Sequence, residues 1–353
     1  MPRIFHILDT LGIGGAENMV ASLARWQAAQ GCGVHVHGLM DGGPIAERLQ
    51  AMQVPVSWHT TRHYAPGLWA VLRRLREFRP DVVHCHNILP TLLGTAAAKL
   101  VGIPRLVTTR HGSHAHVERA ERRFWFASRW HSSVVAVSQL AYNELGALRF
   151  ADPSKLVMIP NAADEPDTTP PDVLPRREGF TLVTVGRLVR EKSYGTLLEA
   201  LAMARAEDPE IGLWIVGDGI ERGALEQRAR ELQIQDHVAF LGARSNVGYW
   251  LQNADLFVLS SISEGLPVSL LEAFAMRRAV VATRVGGIPD AMEGTDAGLL
   301  VASGDARALA QAILTLKRDP ARCRECGANA RRVYEERYSI ARMGRAYQQL
   351  YRV

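Results

Sequence analysis

Four cysteines in 353 residues are too few for a small scaffold held together by disulfides. Cys323 and Cys326 form a single C-x-x-C in DPARCRECGANARR, a stretch of helical character. A zinc site there would need two further ligands, and none stands near in sequence. Cys85, between His84 and His86, reads as a strand end rather than a ligand cluster. No apolar run reaches the length of a membrane span. The opening MPRIFHILDT has only a short apolar stretch before Asp9 and reads as a first core strand, not a signal peptide. The two absences lead us to expect a cytoplasmic protein. No zinc-finger or RNA-binding motif occurs, so no nucleic-acid partner is expected. The dinucleotide fingerprint G-x-G-x-x-G also fails: Gly12 and Gly14 would require glycine at 17, where Glu17 stands.

What is present is the composition of a globular chain, 47% hydrophobic and 22% charged, long enough for two domains. Short apolar runs read as strands at 3–8, 33–39, 55–58, 81–84, 105–109, 133–137 and 155–159. A second series falls at 180–185, 211–216, 237–241, 255–259, 279–283 and 298–301. Helical patterns separate them, among them 15–30, 68–78, 193–206, 219–233 and 304–317. Such alternation predicts parallel sheets covered on both faces. The stretch NAADEPDTTPPDVLPRREG (161–179) breaks it, being rich in proline and acid, and reads as a linker. The expected fold class is therefore α/β, with two doubly wound Rossmann-like domains facing a cleft. Charge divides unevenly. Residues 1–163 hold 17 Lys+Arg against 10 Asp+Glu, and 11 of the 12 histidines; residues 164–353 hold 24 against 26. A basic first half suits an anionic partner or an anionic membrane surface.

The most informative residues are Glu264 and Glu272. Glu264 falls in the loop after the strand DLFVLS, and Glu272 about a turn and a half into the helix that begins near Pro267. A helix N-terminus offers free N–H groups and partial positive charge, which suit a phosphate. Carboxylates beside such a site make sense when the ligand also carries hydroxyls. Upstream, Arg187 and Lys192 share the loop after TLVTV, where a two-pronged and a point cation can neutralise a diphosphate.

Four signatures then occur in order: Gly14-Gly15-Ala16-Glu17; Val185-Gly186-Arg187-Leu188 with Glu191-Lys192; Val216-Gly217-Asp218-Gly219; and Glu264-Gly265-Leu266-Pro267 through Glu272. MIPNAAD (158–164) and VGGIPD (285–290) accompany them. Together they resemble the family 4 retaining glycosyltransferases over nearly the whole chain. One departure is Met276-Arg277-Arg278-Ala279, where the family has a small residue, Cys-Gly and a proline. The resemblance implies a GT-B-like fold: residues 1–163 as an acceptor-side domain, 164–179 as linker, 180–336 as the nucleotide-sugar domain, and 337–353 as a helix crossing back to the first domain. It implies catalytic roles for Glu264, His111, Arg187 and Lys192. Donor binding falls to Gly14, Gly15, Gly186, Arg187, Lys192, Gly217, Gly219, Arg244, Glu264, Gly265, Leu266, Pro267 and Glu272. Arg187 and Lys192 would hold the diphosphate, Glu272 the ribose and Glu264 the transferred sugar, with His111 near that sugar.

No Asp-x-Asp occurs, the motif with which metal-dependent glycosyltransferases of the other major fold hold a divalent ion, so no metal and no cofactor are expected beyond the donor substrate. His114 and His116 have metal-ligand spacing beside His111, but an ordinary surface segment explains them as well. The expected partners are a nucleotide-diphosphate sugar, UDP-linked before GDP-linked, and a glycan or lipid-linked acceptor. A sugar-nucleotide epimerase of the same fold, or a non-catalytic binder of nucleotide sugars, remains an alternative. Finally, HVERAERRFWFASRWHSS (116–133) mixes Arg119, Arg122, Arg123 and Arg129 with Phe124, Trp125, Phe126 and Trp130. It suits either a helix at an anionic membrane surface or an ordinary helix that packs Phe126 and Trp130 on the sheet.

Overall fold

A computed structural model describes residues 1–12, 14–59, 64–111, 118–147, 152–172 and 179–352, without the side chains of 64 and 118–121. His114 and His116 lie outside the described residues, as do the Arg119 side chain and positions 173–178 of the linker. The chain divides into two units, Met1–Ala162 with Ile340–Val353, and Ala163–Ser339.

The first unit is built on seven parallel strands: β1 (Arg3–Leu8), β2 (Gly33–Gly38), β3 (Val56–Trp58), β4 (Val82–His86), β5 (Arg105–Arg110), β6 (Ser133–Ala136) and β7 (Leu156–Met158), in the order β3-β2-β1-β4-β5-β6-β7. The second has six: β8 (Phe180–Val185), β9 (Ile211–Val216), β10 (Val238–Gly242), β11 (Leu256–Leu259), β12 (Ala279–Thr283) and β13 (Gly298–Val301), in the order β10-β9-β8-β11-β12-β13. Every ladder is parallel, so each strand must be followed by a crossover, and the helices of those crossovers cover the sheets. In each sheet the winding reverses beside its first strand, between β1 and β4 and between β8 and β11. Open sheets of this kind bind ligands outside the carboxyl ends of the strands at that reversal.

Each face of the first sheet has its own chemistry. Phe5, Ile7, Val83 and Cys85 point to one side and pack with Val71, Leu75, Leu93 and Ala97 of the helices Tyr64–Phe78 and Ile88–Val101. His6, His84 and His86 occupy the alternate positions and are buried on the other side. There the helices Gly15–Ala29 and Ile340–Leu350 pack together; a Cβ on Gly344 would come within 2.2 Å of the Trp26 ring, so only glycine lets them approach. Tyr351 and Tyr347 reach down from the C-terminal helix region to His84 and Thr109, at 2.6 and 2.9 Å.

In the second unit both faces are apolar: Leu182, Leu213, Leu256 and Val281 on one, Val183, Trp214, Phe257 and Val280 on the other. The described part of the segment read as a linker is pinned to this unit. Tyr249 N donates to Asp167 O, Asn246 Nδ2 to Thr169 O, and Glu165 pairs with Arg331 at 2.8 Å. A Cβ on Gly248 would meet the Pro166 and Asp167 carbonyls at 2.6 and 2.7 Å, so this pinning also depends on a glycine. At the departure from the family pattern the helix Val268–Ala275 still ends in a left-handed turn, made by Arg277 at φ 57°. Arg278 N closes it on Ala273 O, and the Arg278 guanidinium donates to Ala254 O at 2.7 Å.

Candidate active site

The second unit's switch point is built by two loops. β8 ends at Val185 and gives Gly186-Arg187, a short 3-10 turn at Arg190–Lys192, and Ser193 in left-handed conformation before the helix Tyr194–Glu207. β11 ends at Leu259 and gives Ser260-Ser261, then Glu264 to Pro267, before the helix Val268–Ala275. The loops are tied together: Ile262 N donates to Glu191 O at 2.9 Å, and Ser260 Oγ to Lys192 O at 2.9 Å. At their junction Lys192 Nζ meets Glu264 Oε1 at 2.5 Å, and Ser261 Oγ donates to the same oxygen at 2.7 Å. The pair is largely shielded, the side chains being 18% and 9% exposed. Both contacts fall on Oε1, and no hydrogen bond from the described residues reaches Oε2. The Arg187 guanidinium is exposed on the same loop as Lys192 and makes no ion pair among the described residues.

Glycines set this geometry. Gly217, at φ 144°, lies so close to Gly186 that a Cβ would stand 1.9 Å from the Gly186 carbonyl oxygen; a Cβ on Gly219 would stand 2.4 Å from the Leu188 oxygen. They let the loop after β9 approach the loop after β8 closely. Across the site, Gly286 at φ 58° and the Gly287 N–H, 2.6 Å from Gly265 O, hold the Glu264-Gly265 turn in place. Leu266 and Pro267 are buried beneath it. Glu272 is half-buried on the helix that follows. Arg244 stands apart, on the loop after edge strand β10, where its Nε turns back to Leu241 O at 2.8 Å.

In the first unit, the other candidates sit at the carboxyl edge of the sheet. Gly14 is the extended N-cap of the helix Gly15–Ala29, and the Glu17 carboxylate lies against it. His111 follows β5; its N–H donates to Asn87 Oδ1 at 3.2 Å, and its Nε2 is 2.9 Å from His86 Nδ1. Burial pushes the His111 ring down to about 4, with Asn161 raising it in part and Arg110 lowering it. Sequence reasoning missed Asp9. Burial raises its carboxyl to about 6, against a hydrogen bond with Asn87 and with Glu17 adding to the rise. Its signal was its place at the end of the first strand. Ser261 was missed as well, since a serine in a polar loop gives no warning that it will bond a glutamate.

His6, His84 and His86 also form the one His/Cys/Asp/Glu cluster among the described residues close enough to hold a metal ion. All six of their ring nitrogens have protein partners: Gln27, Tyr351, Thr109, His111 and one another. The cluster is therefore a hydrogen-bonded network as it stands.

Comparison with known proteins agrees with this construction. The pattern described as glycosyl transferases group 1 matches residues 167–333, and that of Glycosyltransferase Family 4 matches 13–165. The N-acetyl-alpha-D-glucosaminyl L-malate synthase of Bacillus anthracis is 27% identical, the match covering 96% of this chain and 94% of that one. The lipopolysaccharide core biosynthesis glycosyltransferase LpsD of Rhizobium meliloti is 29% identical over 80% of this chain and 78% of its own. Among solved structures, Anabaena HepE in complex with UDP-glucose superposes with a TM-score of 0.86 at 22% identity, covering 99% of both chains. The fold is that of GT-B glycosyltransferases, and the chain belongs to glycosyltransferase family 4.

Proposed function

We propose that the enzyme transfers a sugar from a nucleoside-diphosphate sugar, UDP-linked before GDP-linked, to a hydroxyl of a glycan or lipid-linked acceptor, with retention and without a metal ion. The observation that carries this reading is the Lys192–Glu264 pair at the β8/β11 switch point, with Glu264 Oε2 open and Arg187 exposed on the same loop. As the bond from the anomeric carbon to the diphosphate lengthens, negative charge grows on the leaving group. Lys192, held by Glu264, and Arg187 on the same loop are cations for that charge, and donors aimed at developing charge are usually the largest catalytic term. Glu264 Oε2 is free to accept from hydroxyls of the transferred sugar, with the Gly265 backbone beside it. Glu272, further along the helix, takes the ribose. The UDP-glucose bound by HepE supports the donor class, and LpsD's name supports a glycan acceptor.

Titration with UDP, GDP and their sugars in EDTA tests the proposal. A hundredfold excess over Kd should stabilise the protein by about 2.7 kcal/mol. Transfer should survive the chelator, and the product should keep the donor's anomeric configuration by NMR. Activity lost in EDTA and restored by magnesium or manganese would contradict the metal-free reading.

We further propose that the first unit meets an anionic membrane through the helix Glu118–Ser128 and its exit. The packing expected of Phe126 and Trp130 is performed instead by Phe124 and Trp125, both buried. Phe126 and Trp130 are 59% and 43% exposed and meet edge-to-face at 5.1 Å, with the Arg129 guanidinium 5.7 Å from the Phe126 ring. Arg122 and Arg123 are exposed beside them. Each arginine near an anionic leaflet adds on the order of 1 kcal/mol. Co-sedimentation should require anionic lipid, fall with salt, and drop in the Arg122→Glu/Arg123→Glu variant.

A further inference from the structure

Two adjacent serines after β11 divide the work of fixing the charged pair. Ser260 Oγ donates to Lys192 O at 2.9 Å, and Ser261 Oγ to Glu264 Oε1 at 2.7 Å. Both serines are buried. An ionised carboxylate only accepts, with about two lone-pair sites on each oxygen. Lys192 Nζ and Ser261 Oγ fill the two on Oε1. A ligand hydroxyl therefore reaches Glu264 at Oε2. The lysine keeps its other donors for a diphosphate, and its stem is seated: a Cβ on Gly186 would stand 3.4 Å from Lys192 Cε.

Ser261 is itself held from behind. Its carbonyl oxygen accepts from Thr283 Oγ1 at 2.7 Å and from Ser303 Oγ at 3.2 Å. Thr283 is the buried last residue of β12, and Ser303 lies just beyond β13. β12 pairs with β11 on one side and with β13 on the other, so the two strands that follow the site in the sheet both reach back to this one carbonyl. A chain of hydroxyls thus runs from the sheet edge to the carboxylate: Thr283 to the Ser261 backbone, and the Ser261 side chain to Glu264 Oε1. Each of its links is donated by a group with a single proton, so its direction is fixed. A glutamate on a loop has several rotatable bonds, and this chain selects one setting of them.

We propose that Ser261 is a positioning residue for Glu264, and Thr283 for Ser261: together they lock Oε1 against Lys192 and present Oε2 to the hydroxyls of the transferred sugar. The sugar in this inference rests on the transferase reading above; the locking of the carboxylate does not.

The test is a mutant cycle in the full chain. Ser261→Ala removes one hydroxyl and leaves the Lys192–Glu264 pair. Turnover should fall on the order of tenfold, while the donor KM and the Kd of UDP alone stay within about twofold, because the sugar contact is misaligned and the diphosphate contacts stand. Thr283→Val should repeat this split with a smaller fall, and Thr283→Ser, which keeps the hydroxyl, should recover it. The cycle is closed in a Glu264→Ala background, where the Ser261 hydroxyl has lost its partner. There Ser261→Ala should reduce the residual turnover no further, and should leave in place the urea midpoint that it lowers in the wild-type protein. Wild-type turnover in Ser261→Ala overturns the inference, as do equal urea shifts in the two backgrounds. The urea cycle needs no substrate. A protein that binds no nucleotide sugar would sink the transferase reading instead, and the urea cycle would still decide whether Ser261 locks Glu264.

Discussion

The two units share a winding order and differ in what they bury beside the switch point. In the second, the central strands β8 and β11 present Leu182, Val183, Leu256 and Phe257, and the interior is apolar on both faces. In the first, the corresponding strands β1 and β4 present Phe5 and Val83 on one face but His6, His84 and His86 on the other. Parallel sheets covered on both sides ordinarily read as continuous apolar runs. A histidine layer there gives up hydrophobic stabilisation and must satisfy each nitrogen, which this one does with Gln27, Thr109 and Tyr351. The comparison teaches that the topology is indifferent to this choice. The apolar unit carries its ionisable groups on the loops, as Lys192 and Glu264. The other carries them through its core to the edge at His111.

The largest expected break in that comparison is at a glycine. Gly217→Ala puts a Cβ 1.9 Å from a backbone oxygen that cannot yield, and should cost the second unit about 4 kcal/mol or more in urea unfolding. Gly14→Ala meets only the flexible end of Glu17 and should change stability by no more than about 1 kcal/mol. Comparable losses in the two would mean that the close approach at Gly217 is misjudged.

Acid should separate the units next. Eight histidines of the first unit are lowered, chiefly by burial: His6, His35 and His111 to about 4, His37 and His131 to about 3, and His59, His84 and His86 below their usual value. A histidine that takes up its proton at 6.5 when unfolded and near 4 when folded leaves stability unchanged above 6.5. It removes stability progressively as pH falls from 6.5 toward 4, by roughly 3 kcal/mol for a group such as His6. Asp9, raised to about 6, works the other way over part of that window, but it is one group against eight. The second unit has a single histidine, His237, outside its core. Hydrogen exchange at pH 5 against pH 7.5, corrected for intrinsic rates, should therefore show protection lost in β1, β4 and β5 before β8, β11 and β12. Equal loss in both sheets would remove the distinction.

Much of this was legible in the sequence. All thirteen strands fell where the apolar runs placed them, because a parallel strand buried on both faces announces itself locally. Arg187, Lys192, Glu264 and Glu272 were visible because each sits in a short loop or helix start beside its own strand. The histidine network was not. His6 and His86 stand 80 residues apart and His84 and Tyr351 stand 267 apart, so strand register and the return of the C-terminal segment had to be known first. The two-residue spacing of His84 and His86 was the only local hint of a shared face. At the helix end, the expectation of a glycine-like turn was obscured because Arg277 adopts the left-handed conformation itself.

Within the proposed site, Glu264→Gln should cut turnover on the order of a hundredfold, since it removes charge from the sugar contact and from Lys192. Glu272→Gln should mainly raise the donor KM, because ribose contacts are made in ground and transition states alike. A reversal of the two effects would exchange their roles. The smallest effect is structural: Arg277→Gly relieves a left-handed arginine and should stabilise the second unit by about 1 kcal/mol in urea.

The central claim is that the loops after β8 and β11 bind a nucleoside diphosphate without a metal. Calorimetric titration of UDP in EDTA into the wild type, Arg187→Ala and Lys192→Ala tests it most directly. Each lost charge-assisted bond is worth about 1.5–3 kcal/mol, so both variants should bind roughly ten- to a hundredfold more weakly with their folds intact. Wild-type UDP affinity in both variants would contradict the account.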